Sequence, residues 1–131
     1  MRRLALLLIL TAGCGDAVTE GYNRLAAEDW TAAVEHFSKA IEDDPGRIEA
    51  YIGRGMAWRS LEELDNAYAD FSVALKRNPS NATALQFRGE VRFYMGDTEG
   101  AVEDLEAASK NGAAPELLAE VIFARGHGRL V

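Results

Sequence analysis

The side chains that could perform acid–base or nucleophilic chemistry are few and isolated in this sequence. The 131-residue chain contains two histidines, His36 and His127, and a single cysteine, Cys14. No His-Glu-x-x-His spacing, no second cysteine and no Gly-rich phosphate loop accompanies them. His36 lies in a helical stretch, where we expect a solvated surface position and not a ligand role. We therefore predict no catalytic residue, no metal ion and no cofactor, and we predict that the chain is not an enzyme.

The charge balance restricts the class of partner. The chain has 21 acidic and 14 basic residues, a formal net charge of −7. An acidic surface repels phosphate backbones and releases no counterions from them, so we exclude nucleic acid as a partner. The acidic clusters at 42–44 and 62–65 are interpreted as solvated helix ends and turns.

The first 13 residues have the pattern of a secretory signal. Two arginines follow Met1, residues 4–10 are apolar and uncharged, and small residues precede Cys14. The apolar run is far shorter than the ~20 residues that a spanning helix needs. The segment 10–14, Leu-Thr-Ala-Gly-Cys, resembles the lipobox of bacterial lipoproteins, although Thr11 stands where the box usually has Leu. The resemblance implies cleavage before Cys14 and a diacylglycerol on its sulfur; cleavage by the ordinary signal peptidase, which leaves a soluble protein with a free thiol, stays open.

The residue after the cysteine bears on location. In the sorting rule of lipoproteins, Asp directly after the cysteine retains the protein in the inner membrane of some bacteria. Here Gly15 takes that place and Asp16 follows. The resemblance therefore implies a lipid-anchored protein of the bacterial cell envelope that faces the periplasm, with the outer membrane preferred.

The chain after the signal repeats itself every 34 residues. The matched positions are Gly21, Gly55 and Gly89; Ala33, Ala67 and Ala101; Ala40, Ala74 and Ala108; Phe37, Phe71 and Leu105; and Pro45 and Pro79. In the central unit, two stretches of helical periodicity, about 47–60 and 64–77, flank a short turn at 61–63. Small residues occur where two helices must approach closely, and the large residue between them fills the remaining space.

This pattern resembles the tetratricopeptide repeat, a helix pair of 34 residues. The resemblance implies an all-α solenoid of three helix pairs with a C-terminal capping helix. We predict a signal peptide at 1–13, repeats at 14–47, 48–81 and 82–113, and a capping helix with its tail at 114–131. One helix pair cannot bury its apolar face alone, whereas a stack of about three can.

The last helix has two interpretations. The pattern predicts a helix from Glu116 to Arg125 with an apolar face formed by Leu117, Leu118, Val121 and Ile122, followed by a loose tail at 126–131. The helix either covers the end of the third repeat, since solenoids need closed ends, or forms a homodimer face, because Phe123 extends the apolar surface.

The family resemblance implies that binding occurs on the concave face, which the first helix of each repeat lines. The residues predicted to form a partner-binding groove there are Tyr22, Leu25, Ile52, Met56, Arg59, Gln86, Phe87, Glu90, Phe93 and Tyr94. Chaperone adaptors of this family hold acidic peptide tails with Lys, Arg and Asn in a carboxylate clamp. The matching positions here are Val18, Tyr22, Gly53, Thr83 and Phe87, so we predict that the clamp is absent. The groove is then apolar and aromatic with Arg59 as its one cation, and Gly53 leaves room for a partner's backbone.

These observations predict a membrane-anchored adaptor that binds another envelope protein or peptide through its groove. Its role would be the assembly of an envelope complex, such as a pilus, a secretion system or outer-membrane proteins. The alternative is a structural protein that acts by homodimerisation through its C-terminal helix.

Overall fold

The computed structural model describes residues 15–130, with side chains up to Gly126. Cys14 and the predicted signal at 1–13 therefore lie outside the described residues. The helices are α1 (Ala17–Ala26), α2 (Trp30–Asp43), α3 (Ile48–Ser60), α4 (Leu64–Arg77), α5 (Ala82–Tyr94), α6 (Thr98–Lys110) and α7 (Leu118–Leu130). None of the helices in the described part is long and apolar enough to cross a membrane.

The helices stack as three antiparallel pairs and a cap. Each first helix packs on its own second helix, and the first helices also contact one another, α1 with α3 and α3 with α5. The predicted all-α solenoid is confirmed: the described residues form helices and no strand. Ala67 is fully buried in the main core, as its place in the repeat requires. The core continues from pair to pair because each apolar face is covered by the next pair.

α7 closes the stack, with two differences from the sequence prediction. Val121 is fully buried against Val102 and Leu105, while Ile122, predicted on the packed face, is largely exposed. The helix begins at Leu118 and continues through Gly126 to Leu130, where we predicted a loose tail. The sequence prediction ended the helix at Gly126 because glycine lowers helix propensity, but that cost is only about 1 kcal/mol.

Glycines set the distance between the helices. The ring of Phe37 lies against Gly21 of its own pair and against Gly53 of the next pair. A Cβ built on Gly53 would lie 2.2 Å from the ring. Our expectation that Gly53 makes room for a partner's backbone is therefore wrong. Gly53 is buried, and its missing side chain is the space that Phe37 fills.

An ion-pair ladder links the repeats. Arg54 donates through Nε and Nη2 to the two carboxylate oxygens of Asp70, each at 2.8 Å, and through Nη1 to Ser38 Oγ of the preceding pair. Arg88 makes the same bonds one repeat later, to Asp104 and Ser72. Bidentate guanidinium–carboxylate bonds fix orientation as well as distance. Each arginine therefore holds the second helix of its own pair in register with that of the pair before.

The turns inside the pairs place a residue in the left-handed region. Glu28, Glu62 and Gly96 occupy the same turn position in the three repeats, at φ values of 59°, 62° and 91°. The next residue caps the second helix in two of them, since Asp29 accepts from Ala32 N–H and Asp97 from Gly100 N–H. The left-handed turn directs each second helix back along the first one.

Candidate functional site

The concave face carries an exposed tyrosine at each end. Tyr22 on α1 is 36% exposed and Tyr94 on α5 is 64% exposed. The hydroxyl of Tyr22 donates to the backbone carbonyl of Glu49 at 3.0 Å, and its ring meets Phe37 edge-on, 5.0 Å between centroids. Burial, together with the charge of Glu49, raises the pKa of Tyr22. The ring of Tyr22 is thus held in place, and part of it remains available for contact.

The middle of the face is a charged and aromatic cluster. The guanidinium of Arg59 lies over the ring of Phe87, 4.5 Å from its centroid, and pairs with the carboxylate of Glu90. Gln86 donates to the other oxygen of Glu90 at 3.5 Å. Arg59 is therefore not the unpaired groove cation that the sequence suggested, because Glu90, one repeat later on the same face, neutralises it.

Several predicted groove residues serve mainly as packing. Ile52 is 6% exposed and belongs to the main core, and Met56 and Phe87 are half-buried against that core. Leu25 packs against the first core cluster. Phe93 packs against the cluster that holds Val121 under α7. The groove surface therefore consists of Tyr22, Arg59, Gln86, Glu90 and Tyr94, with the outer edges of Met56 and Phe87.

A cleft opens where this face meets the cap. It has a volume of about 810 Å³ and lies between the turn of the second repeat, the end of α5 and the start of α7. Its lining residues are Arg59, Glu62, Leu64, Glu90, Tyr94, Glu116, Leu117 and Glu120. We refer to this feature as the cap cleft. Three of the predicted groove residues, Arg59, Glu90 and Tyr94, are brought together there.

The sequence prediction missed the other members of the cap cleft. Glu62 was interpreted as a solvated turn residue, and Glu116 and Glu120 as the wet side of the last helix. They meet Glu90 because α7 folds back over the end of α6 and brings its first turn beside α5. Periodicity marked Glu116 and Glu120 as solvent-facing, but no sequence signal indicated which surface they would face.

The arrangement is suited to binding and not to bond cleavage. Within the described residues, no group of three His, Cys, Asp or Glu side chains is placed to hold a metal ion. His36 lines a smaller cleft near the start of α1 together with Glu20 and Lys39, away from the cap cleft. The concave face offers instead exposed rings, paired polar groups and a large open cleft, which are the components of a peptide-binding surface.

The stacked helix pairs, the 34-residue period and the concave face define an α-helical repeat protein. The tetratricopeptide repeat family model matches residues 18–84, half of the chain. The chain belongs to the tetratricopeptide repeat family.

Comparisons with known proteins agree with this fold. Hsc70-interacting protein 1 of Drosophila melanogaster is 37% identical over 78 residues, which cover 60% of this chain and 21% of that protein. The chain thus spans about a fifth of the length of that relative. The first TPR of Spaghetti (RPAP3) bound to the HSP90 peptide SRMEEVD has a TM-score of 0.80 at 21% identity and covers 84% of this chain and 90% of its own. The Sgt2 TPR domain of Aspergillus fumigatus has a TM-score of 0.81 at 21% identity over 88% of this chain and 80% of its own.

Proposed function

We propose that this chain is a membrane-anchored adaptor of the bacterial envelope that binds a segment of another envelope protein along its concave face. The observation that supports this most directly is the exposure of Tyr94 beside the cap cleft. Aromatic side chains at the edge of a concave pocket are typical anchors for a bound segment. We further propose a role in the assembly of an envelope complex, such as a pilus, a secretion system or outer-membrane proteins.

The relatives support the adaptor part of the proposal. The structure of the first Spaghetti TPR holds a peptide from another protein. Its helices superpose on most of this chain, so the same concave face is available here. The peptide itself ends in acidic residues, whereas the clamp positions of this chain carry no basic side chain. We therefore propose binding of a protein segment of a different chemical kind.

Capture from envelopes tests the adaptor proposal. The groove variant Tyr22→Ala/Gln86→Ala/Tyr94→Ala removes exposed contact atoms from the concave face. We expect it to capture partner proteins from detergent-solubilised envelopes at least about tenfold less than wild type, because each anchor typically contributes more than 1 kcal/mol. Quantitative mass spectrometry of the captured proteins provides the ratio.

A matched variant on the outer helices serves as the control. Val73→Ala/Glu103→Ala/Glu106→Ala changes three exposed side chains on α4 and α6, and we expect it to capture like wild type. Circular dichroism and thermal unfolding must show that both variants remain folded. Equal capture by the two variants would contradict the groove proposal and leave self-association through α7 as the leading function, since Phe123 is 66% exposed there.

The anchor part of the proposal rests on Cys14 and is tested separately. In a Gram-negative host, the full chain is expected to partition into the detergent phase of Triton X-114 and to incorporate a labelled fatty acid. Cys14→Ser should abolish both, because the sulfur that accepts the lipid is gone. Wild type in the aqueous phase without label would contradict the anchor and favour ordinary signal cleavage.

A further inference from the structure

The cap cleft differs in charge from a site for acidic peptides. Four of its lining side chains are carboxylates, those of Glu62, Glu90, Glu116 and Glu120, and one is a guanidinium, that of Arg59. The formal net charge of the lining is therefore −3. Since Arg59 pairs with Glu90, the remaining three carboxylates have no counter-charge within the lining.

These three carboxylates are accessible and spaced around the opening. Glu62, Glu116 and Glu120 are each exposed and belong to two different segments, the turn before α4 and the start of α7. They do not converge on one point, and the described residues contain no metal-binding group. Carboxylates dispersed over a cleft of this size suit an extended cationic ligand better than a single metal ion.

The aromatic side chain of the cap cleft adds a second feature for a cation. Elsewhere in the molecule, guanidinium groups lie over aromatic rings: Arg54 over Tyr51, Arg59 over Phe87, and Arg88 and Arg92 over Tyr68. In the described part of the chain, Tyr94 carries no such cation. Its ring contacts Phe93 at 5.7 Å and is 64% exposed. The face of an exposed tyrosine ring beside carboxylates attracts Lys or Arg.

Apolar groups complete the lining. Leu64 and Leu117 line the cap cleft, and each is only partly exposed because its other side packs on the core. A ligand that buries apolar side chains against them places its charged side chains at the rim, near the three glutamates. The cleft thus matches an amphipathic segment with Lys or Arg next to Leu-like residues.

From this complementarity we infer that the partner segment is cationic and amphipathic, and that it docks in the cap cleft with a Lys or Arg over Tyr94 and between Glu62, Glu116 and Glu120. The inference rests on the proposed function and specifies its partner. It also gives the opposite charge preference from the acidic peptide in the Spaghetti complex.

The test uses three peptides of one design and three forms of the protein. Each peptide is fluorescein-labelled, about four helical turns long, and has Leu on one helical face; the other face has Lys, Gln or Glu. The cleft variant is Glu62→Gln/Glu116→Gln/Glu120→Gln. The control variant, Glu42→Gln/Glu103→Gln/Glu106→Gln, changes three exposed carboxylates on α2 and α6. The net charges of the two variants are identical, so general attraction to an acidic protein is the same in both.

We expect the Leu/Lys peptide to bind wild type and the control variant equally, and the cleft variant about tenfold more weakly. Higher salt should weaken binding to wild type because exposed charges are screened. Tyr94→Ala should weaken it about threefold to tenfold, and Tyr94→Phe should retain it, since the ring face and not the hydroxyl meets the cation.

Three results would overturn the inference. Equal losses in the cleft and control variants would indicate attraction to overall charge. Binding of the Leu/Gln or Leu/Glu peptide as tight as that of Leu/Lys would show a groove without preference for cations, and the adaptor function would then survive without this inference. Failure of all three peptides would reject the cationic partner, while the envelope capture experiment would still decide the adaptor function.

Discussion

Asp104→Ala is expected to lower the free energy of unfolding by about 3 kcal/mol. The carboxylate of Asp104 is 4% exposed and accepts two bonds from Arg88, at 2.7 and 2.8 Å, and one from Arg92 at 3.3 Å. Alanine leaves two largely buried guanidiniums without their counter-charge. We place the loss at the lower end of the range for broken buried pairs because both arginines retain some contact with water.

Urea denaturation measures this loss, and the neighbouring Glu103→Ala provides the control. Glu103 is exposed on the same helix, so its removal should change stability by no more than about 0.5 kcal/mol. A second test is Asp70→Ala, which breaks the equivalent pair with Arg54 and should also destabilise. If Asp104→Ala and Glu103→Ala unfold at the same urea concentration, the ladder does not contribute to holding the repeats together.

Gly53→Ala is expected to destabilise the fold by about 1–3 kcal/mol. A glycine-to-alanine change inside an exposed helix normally stabilises by about 1 kcal/mol. At Gly53 the new methyl group would lie 2.2 Å from the Phe37 ring. Phe37 is fully buried, so the ring cannot move aside without displacing the surrounding core.

Two variants isolate this mechanism. Gly126 lies in helix α7 with nothing within 4 Å of a built Cβ, so Gly126→Ala should be neutral or stabilising in thermal unfolding. Phe37→Leu shortens the group that the methyl meets, so Gly53→Ala should cost less in the Phe37→Leu background than alone. Stabilisation by both glycine replacements would show that Gly53 does not set the spacing between α1 and α3.

Much of the architecture could be predicted from the sequence because it depends on local and periodic signals. The two central helices begin and end within one residue of the predicted limits, at Ile48–Ser60 and Leu64–Arg77. The repeated small residues predicted close helix contacts, and the structure places Gly55 against Phe71 and Gly89 against Leu105. The ladder was missed, although Arg54 and Arg88, like Asp70 and Asp104, recur at the repeat spacing.

The groove was harder to predict because exposure depends on distant side chains. The sequence placed Ile52 and Phe93 on the concave face, but neighbouring helices bury them. It presented Arg59 as an available cation, but a carboxylate from the next repeat pairs with it. A repeat pattern assigns each residue to a face and does not specify what the adjoining repeat puts against it.

By itself, then, the sequence determined the helices, their pairing and the number of repeats, since these follow from spacing within one unit. The tertiary structure decided which groove residues remain accessible, that Gly53 is filled by Phe37, and that Glu62, Glu116 and Glu120 meet beside Tyr94. The physical reason is that burial and charge pairing arise between segments far apart in sequence. Their relative positions are set only when the repeats and the capping helix pack together.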